Sequence, residues 1–193
     1  MTHQTNHFTS KVQQYTEQIR AGDLASLSSL FDVTGVRLVR YATGITGNQH
    51  DGEDIVQAVL TKVATDPNLI LDRDCSWAYL LRMTRNAAVD LLRRQSRSKV
   101  SDKGTLKSVV VQTEYRLEND TKQKIWVAMN RLPREQREVI LLKIWEQMTF
   151  EEVATILQLA PGTVASRYRY AINKLRHSLA SISVERSQHE IRS

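Results

Sequence analysis

The sequence predicts an all-α fold: two small helical domains joined by a flexible linker, the C-terminal one containing a helix-turn-helix. Three observations carry this expectation. The 193 residues include only 7 Gly and 3 Pro, and aromatics make up 6%, which is too few turn and strand formers for a sandwich or barrel. Apolar residues recur at three- and four-residue spacing in two blocks, separated by a Ser-, Lys- and Thr-rich stretch that loses the period. A helix-start signature, Thr149-Phe150-Glu151-Glu152, opens the first of two closely spaced helices near the C-terminus. With 41% hydrophobic and 25% charged residues the composition is globular, and a lobe of about 75 residues can bury a modest core.

Residues 1–22 carry no recognised motif and are read as an N-terminal tail. From Asp23 to Ile45, Leu24, Leu27, Leu30, Phe31, Leu38, Val39, Ala42 and Ile45 mark one or two helices that stop at Thr46-Gly47-Asn48. A helix follows from near Asp51, with Asp51, Glu53 and Asp54 in its first turn, Ile55, Val59 and Val63 on one face, and an end before Asp66-Pro67. The stretch 65–76 is turn-prone around a short apolar centre and reads as an ordered loop. A third helix spans about Cys75 to Arg94, with Trp77, Leu80, Leu81, Thr84, Ala88, Leu91 and Leu92 inside. This completes a domain over 23–97. Residues 98–118 form the linker, with Val109, Val110 and Val111 as an apolar island. The second domain, 119–180, begins with Ile125, Ala128, Met129 and Leu132 on one face. Pro133 suits the first residue of the next helix, which carries Val139, Ile140, Leu142 and Ile144. The Thr149 capping box starts another, with Val153, Ile156 and Leu157 inward. After a short break a last helix runs from about Gly162 to Leu179 on an inner stripe of Val164, Tyr168, Ala171, Leu175 and Leu179. Residues 181–193 read as a C-terminal tail.

Several function classes are disfavoured. The single cysteine, Cys75, rules out an internal disulfide and offers no Cys-rich zinc spacing, so a reducing cytosol fits. The N-terminus lacks an apolar run of signal-peptide length and no stretch of about 18 apolar residues occurs, so a cytoplasmic protein without membrane insertion is expected. His3, His7, His50, His177 and His189 are scattered and suggest no catalytic arrangement. Asp51, Glu53 and Asp54 lack a convergent His or second acidic cluster, and helix-start acids account for them without a metal. No metal, cofactor or enzymatic activity is expected.

The net charge of +6 suits a polyanionic partner. Two places concentrate it. Arg82, Arg85, Arg93, Arg94 and Arg97 against Asp90 give the third helix a cationic end, which is either a DNA-facing surface or a solvated face complementing the helix dipole. Trp77 and Tyr79 could stack on unpaired bases, although Trp77 lies on the apolar stripe and reads more readily as core. On the last helix Thr163, Ser166, Arg167, Tyr170 and Lys174 fall together outside the inner stripe, with Arg169 and Asn173 flanking. Phosphates demand charge and base edges demand directional hydrogen bonds, so this mixture suits a recognition helix. An ordinary amphipathic helix with a basic solvated face satisfies the pattern equally.

Taken together, these segments resemble the extracytoplasmic-function group of bacterial RNA polymerase sigma factors. DGEDIVQAVL at 51–60 is similar to that family's polymerase-binding helix, WAYLLRMTRNAAVDLLRR at 77–94 to its promoter-melting helix, and residues 131–176 to its C-terminal domain. The resemblance implies that Asp51, Glu53, Asp54 and Gln57 dock on core RNA polymerase. It implies that the 66–76 loop and the helix bearing Arg85 and Asn86 hold an unpaired base of the melted −10 element while Arg93, Arg94 and Arg97 meet phosphates, with Arg82 also among the −10 contacts. Thr163, Ser166, Arg167, Arg169, Tyr170 and Lys174 would read the −35 element as duplex, and an anti-sigma factor is a further candidate partner. A stand-alone helix-turn-helix regulator binding operator DNA is the rival reading, with the DGEDIVQ helix against it. Four positions depart from the family pattern: Ala165 and Tyr170 stand where cations are usual, and Gln158 and Ala160 replace the Gly and Ser common in the turn. The last two changes remove a left-handed-friendly residue and an N-cap, at about 1 kcal/mol each.

Overall fold

In the computed structural model the backbone is described over residues 2–71, 76–101 and 120–190, and side chains over 7–71, 76–97 and 124–180. All secondary structure among the described residues is helical. The chain divides into two compact units, Met1–Gln112 and Thr113–Ser193.

The first unit contains α1 (Thr2–Arg20), α2 (Ser26–Thr46), α3 (Gln49–Thr65), α4 (Asn68–Leu71) and α5 (Ser76–Ser101). Helix α2 packs on α1, α3 and α5. Its Leu30, Leu38, Tyr41 and Ala42 are buried with Val56, Val59 and Val63 of α3 and Trp77, Leu80, Leu81 and Ala88 of α5. Three of the four buried threonines described in this unit, Thr16, Thr34 and Thr84, each donate to the carbonyl four residues back, which satisfies their hydroxyls without disturbing the helix. Gly47 ends α2 in the left-handed region at φ 76°, its N–H donating to the Thr43 carbonyl. The chain restarts one residue later, where Asn48 caps α3 by accepting from the Asp51 amide at 3.1 Å. The two helices then approach so closely that a Cβ on Gly52 would lie 2.4 Å from Thr43 Oγ1 and 3.0 Å from the Thr43 amide nitrogen.

The expected N-terminal tail is instead a helix of this unit. Val12, Thr16 and Ile19, at offsets of four and three, are buried, and Phe8 and Trp77 meet edge to face with centroids 4.9 Å apart. The Arg37 guanidinium covers the other aromatic surface at 3.7 Å from the Phe8 centroid. The Arg20 guanidinium donates to the Leu71 carbonyl, tying α1 to α4. The region read as an ordered loop contains α4, and the remainder of it, 72–75, lies outside the described residues with Cys75. Leu24, expected inside, is 61% exposed because the chain turns before α2 begins. Helix α5 runs on past Arg94 to Ser101, into the first residues of the expected linker, and 102–119, with the valine island, lie outside the described residues.

The second unit contains α6 (Asp120–Asn130), α7 (Arg134–Ile140), a single wide turn over Leu141–Trp145, α8 (Phe150–Leu157) and α9 (Pro161–Glu190). Its core is Ala128, Met129 and Leu132, Val139 to Leu142, Val153, Ile156 and Leu157, and Val164 and Ala171 of α9. Pro133 is the N-cap of α7 and not its first helical residue, with ψ at 143°. The Arg137 side chain reaches back to donate to the carbonyls of Asn130 at 3.0 Å and Leu132 at 3.1 Å, closing the α6–α7 turn. Burial pushes the Arg137 pKa down, opposed by the neighbouring Glu138 carboxylate. In the wide turn the Glu146 amide bonds to the Leu141 carbonyl five residues back, so the helical register slips. Ile144, expected on the inner face, is consequently 42% exposed, and Trp145 stacks on Trp126 with rings 5.8 Å apart and 8° from parallel. Ile125, also expected inward, is partly exposed at the rim of α6.

Candidate nucleic-acid interface

The N-terminal unit presents two surfaces. On α3, Glu53, Asp54 and Gln57 are exposed. Glu53 accepts from Gln49 Nε2 at 2.8 Å and has His50 Nδ1 3.8 Å from its other oxygen. Asp54 and Gln57 border a shallow depression with Ala58, Thr61 and Lys62, and Gln57 continues into an apolar groove lined by Phe31, Val56, Leu60 and Ala64. Asp51 sits differently. It is half-buried at the N-terminus of α3, and its Oδ2 accepts from Gln95 Nε2 of α5 at 3.3 Å.

On α5, Arg82, Asn86, Arg93 and Arg97 succeed one another at offsets of 4, 7 and 4, so they share one helix face. Trp77, Thr84 and Ala88 occupy the opposite, buried face. Trp77 is 3% exposed, which resolves its two readings in favour of the core. Tyr79 is half-buried beneath the Arg82 guanidinium at 5.0 Å. Arg85 is half-buried at the edge of the cationic face, whereas Asn86, Arg93, Arg94 and Arg97 are exposed. Asp90 serves two of the cations: its carboxylate lies 3.5 Å from Arg93, and its carbonyl accepts from Arg94 Nε at 3.3 Å. An exposed pair of this kind is worth at most about 1 kcal/mol and is readily exchanged for a phosphate.

In the C-terminal unit the expected capping box is present in full: Thr149 Oγ1 accepts from the Glu152 amide at 3.2 Å, and Glu152 Oε2 accepts from the Thr149 amide at 2.7 Å. Helix α8 ends at Gln158 in the left-handed region, φ 56°, and α9 begins at Pro161, so three residues make the turn. Val164 and Ala171 are buried on the side of α9 that packs on α6, α7 and α8, and Tyr168 and Phe150 meet edge to face with ring centroids 5.5 Å apart. Thr163, Arg169, Tyr170 and Lys174 are exposed, with Ser166 and Arg167 half-exposed beside them. Tyr170, at 56% exposure, points away from the core with the Arg169 guanidinium 5.6 Å from its ring. Sequence reasoning missed α1 and Gln95. The first has a legible helical stripe diluted by polar residues, and the second extends the inner stripe of α5 by two turns beyond Ala88.

Comparison with known proteins identifies both units. The Sigma-70 region 2 family model matches residues 30–98, and the Sigma-70, region 4 model matches residues 122–175. The sigma factor SigL of Mycobacterium tuberculosis is 30% identical over 178 residues, covering 86% of this chain and 96% of its own length. SigW of Bacillus subtilis is 25% identical over 191 residues, covering 89% and 98%. Among solved structures, the sigma factor RpoE of Bartonella quintana in complex with the anti-sigma factor NepR superposes with a TM-score of 0.68 at 26% identity, covering 79% of this chain and 96% of that one. CnrH, solved with the cytosolic domain of CnrY, shares the fold at a TM-score of 0.63. The chain belongs to the extracytoplasmic-function group of RNA polymerase sigma factors.

Proposed function

We propose that this sigma factor divides its work among three surfaces: the exposed edge of α3 docks on core polymerase, the outward face of α5 holds the melted −10 strand, and the outward face of α9 reads the −35 duplex. As a sigma factor the chain binds core RNA polymerase and directs promoter-specific initiation, which is a binding function and not an enzymatic one. It acts where polymerase and promoter are, in the cytoplasm. On α3, Glu53, Asp54 and Gln57 supply charge and hydrogen-bonding groups beside an apolar groove, the mixture of polar rim and apolar centre that interfaces use. On α5, Arg85 and Asn86 supply directional donors for an unpaired base, while Arg93, Arg94 and Arg97 supply charge for its phosphates, with Arg82 packed on Tyr79 nearer the N-terminus of the helix. On α9, Thr163, Ser166, Arg167, Arg169, Tyr170 and Lys174 offer the donors and cations that the major groove requires. The neighbouring RpoE structure holds an anti-sigma factor, and sequestration by such a partner is the corresponding expectation here.

The observation that carries this reading is the coexistence in one chain of a region 2 unit, with an acidic edge and an arginine face, and a region 4 unit with an exposed recognition face. A stand-alone regulator has no use for the first of these. The test is reconstitution with core polymerase. Asp54→Lys should lower core affinity with helicity nearly unchanged, since a first-turn charge is worth only about 0.3–1 kcal/mol to its helix. Asn86→Ala should change preference at one −10 position, and Arg93→Ala should weaken all promoters alike. Unaltered core affinity, or one uniform loss for both α5 variants, would remove the assignment.

A further inference from the structure

The Gln95–Asp51 hydrogen bond joins the two surfaces of the N-terminal unit that the proposed function separates, and it sets Asp51 apart from the acids around it. Gln95 follows Ala88 by seven residues, two helical turns, so it continues the buried stripe of α5 beyond the point where apolar residues end. Arg93 and Arg97, two residues to either side, project from the opposite face. Gln95 therefore faces α3, and its Nε2 reaches Asp51 Oδ2 at 3.3 Å with both residues half-buried. Asp51 is itself fixed: Asn48 holds its amide, and Gly52 beside it is seated on Thr43. Gln95 thus attaches to a fixed point of α3. Beyond Val89 the described residues of α5 have no fully buried side chain, and this bond is a polar contact between the arginine-bearing part of the helix and α3.

We propose that Asp51 and Gln95 are positioning residues for promoter DNA: their hydrogen bond sets the direction in which α5 presents Arg93, Arg94 and Arg97 to the phosphates of the melted strand. Core docking is left to Glu53, Asp54 and Gln57. The inference rests on the phosphate role of the α5 arginines.

The test uses holoenzyme reconstituted from the full chain and core polymerase, with a fluorescent single strand of mixed sequence as probe and binding measured across salt concentration. Each phosphate contact on a single strand contributes about 0.7 to the logarithmic salt slope. Arg93→Ala should lower the slope by about that amount, and Gln95→Ala and Asp51→Ala should each lower it by about 0.7 to 1.4, their combination no further than either alone. Asp51→Asn keeps an acceptor for Gln95 and should keep the wild-type slope. Gln95→Glu sets two carboxylates together and should lower the slope more than Gln95→Ala. Adding Asp51→Asn to Gln95→Glu rebuilds the bond with donor and acceptor exchanged and should restore it. A loss of core affinity for Asp51→Asn as large as that of Asp54→Lys would return Asp51 to the docking acids and overturn the proposal. A reduced slope for Arg93→Ala beside an unchanged one for Gln95→Ala would overturn it while sparing the phosphate reading. Unchanged slopes for both would remove that reading and the proposal together.

Discussion

Gln158 occupies a backbone conformation that glycine adopts at no steric cost. At φ 56° it closes α8, and its N–H donates to the Ala154 carbonyl while Leu159 N–H donates to the same oxygen at 3.0 Å, so the hydrogen bonding of the turn is intact and the cost is steric. Gln158→Gly should stabilise the C-terminal unit by about 0.5–1 kcal/mol, a rise of a few degrees in its melting temperature for a unit of this size. A fall in melting temperature would show that the glutamine side chain contributes more than its backbone costs. The opposite case is Gly52, where Thr43 leaves no room for a methyl group. Gly52→Ala should cost about 1–3 kcal/mol in the N-terminal unit, because the nearest atoms include Thr43 backbone that cannot rotate away. Thermal melting of the variant checks this, and a neutral substitution would mean that α2 and α3 slide apart freely.

At the scale of elements, α8 depends on its start more than on its length. Eight residues make little over two turns, a helix that is marginal by propensity and is held by Val153, Ile156 and Leu157 on the core and by the capping box at its N-terminus. Thr149→Ala should destabilise the unit by about 0.5–2 kcal/mol and should fray the start of α8 first, read as accelerated amide exchange at Glu152, whose donor loses its partner. Uniform acceleration across the unit would place the loss elsewhere. The capping box was legible because both of its bonds are local and its residues lie three apart. The wide turn over Leu141–Trp145 was not, since the extra residue is accommodated by packing of Leu141 and Leu142 on one side and by the Trp126–Trp145 stack on the other. A regular helix through Ile140 and Leu142 would have carried Ile144 inward. The slipped register turns it out.

For the whole molecule, the proposed function rests on charge presented by helices, and α9 carries less of it than its proposed role invites. Ala165 adds no cation and Tyr170 cannot form the paired contact with guanine available to arginine, so in the proposed function the phosphate and base contacts fall to Arg167, Arg169 and Lys174. Ala165→Lys with Tyr170→Arg should tighten duplex binding generally and steepen its salt dependence by up to two phosphate equivalents, about 1.8 in slope, with core affinity unchanged. Affinity for −35 duplex measured across salt concentration checks this, and an unaltered slope would mean that this face of α9 does not meet DNA.

The amino-acid sequence determined by itself what periodicity, caps and local charge can encode. The apolar stripes of α2, α3, α5 and α9, the glycine stop at Gly47, the Thr149 cap, the burial of Trp77 and the exposure of Tyr170 all follow from spacing along one helix, where neighbours three and four residues apart share a face. Tertiary structure decided whatever depends on a partner distant in the chain. Helix α1 reads as a tail until Phe8 meets Trp77 and Arg20 meets Leu71. The tolerance of Gly52 for nothing larger comes from Thr43 across a helix pair. Asp51, one of three acids at a helix start in the sequence, acquires a separate place only when α5 brings Gln95 to it across 44 residues, because a hydrogen bond between half-buried side chains is specified by helix packing and leaves no periodic trace in either segment.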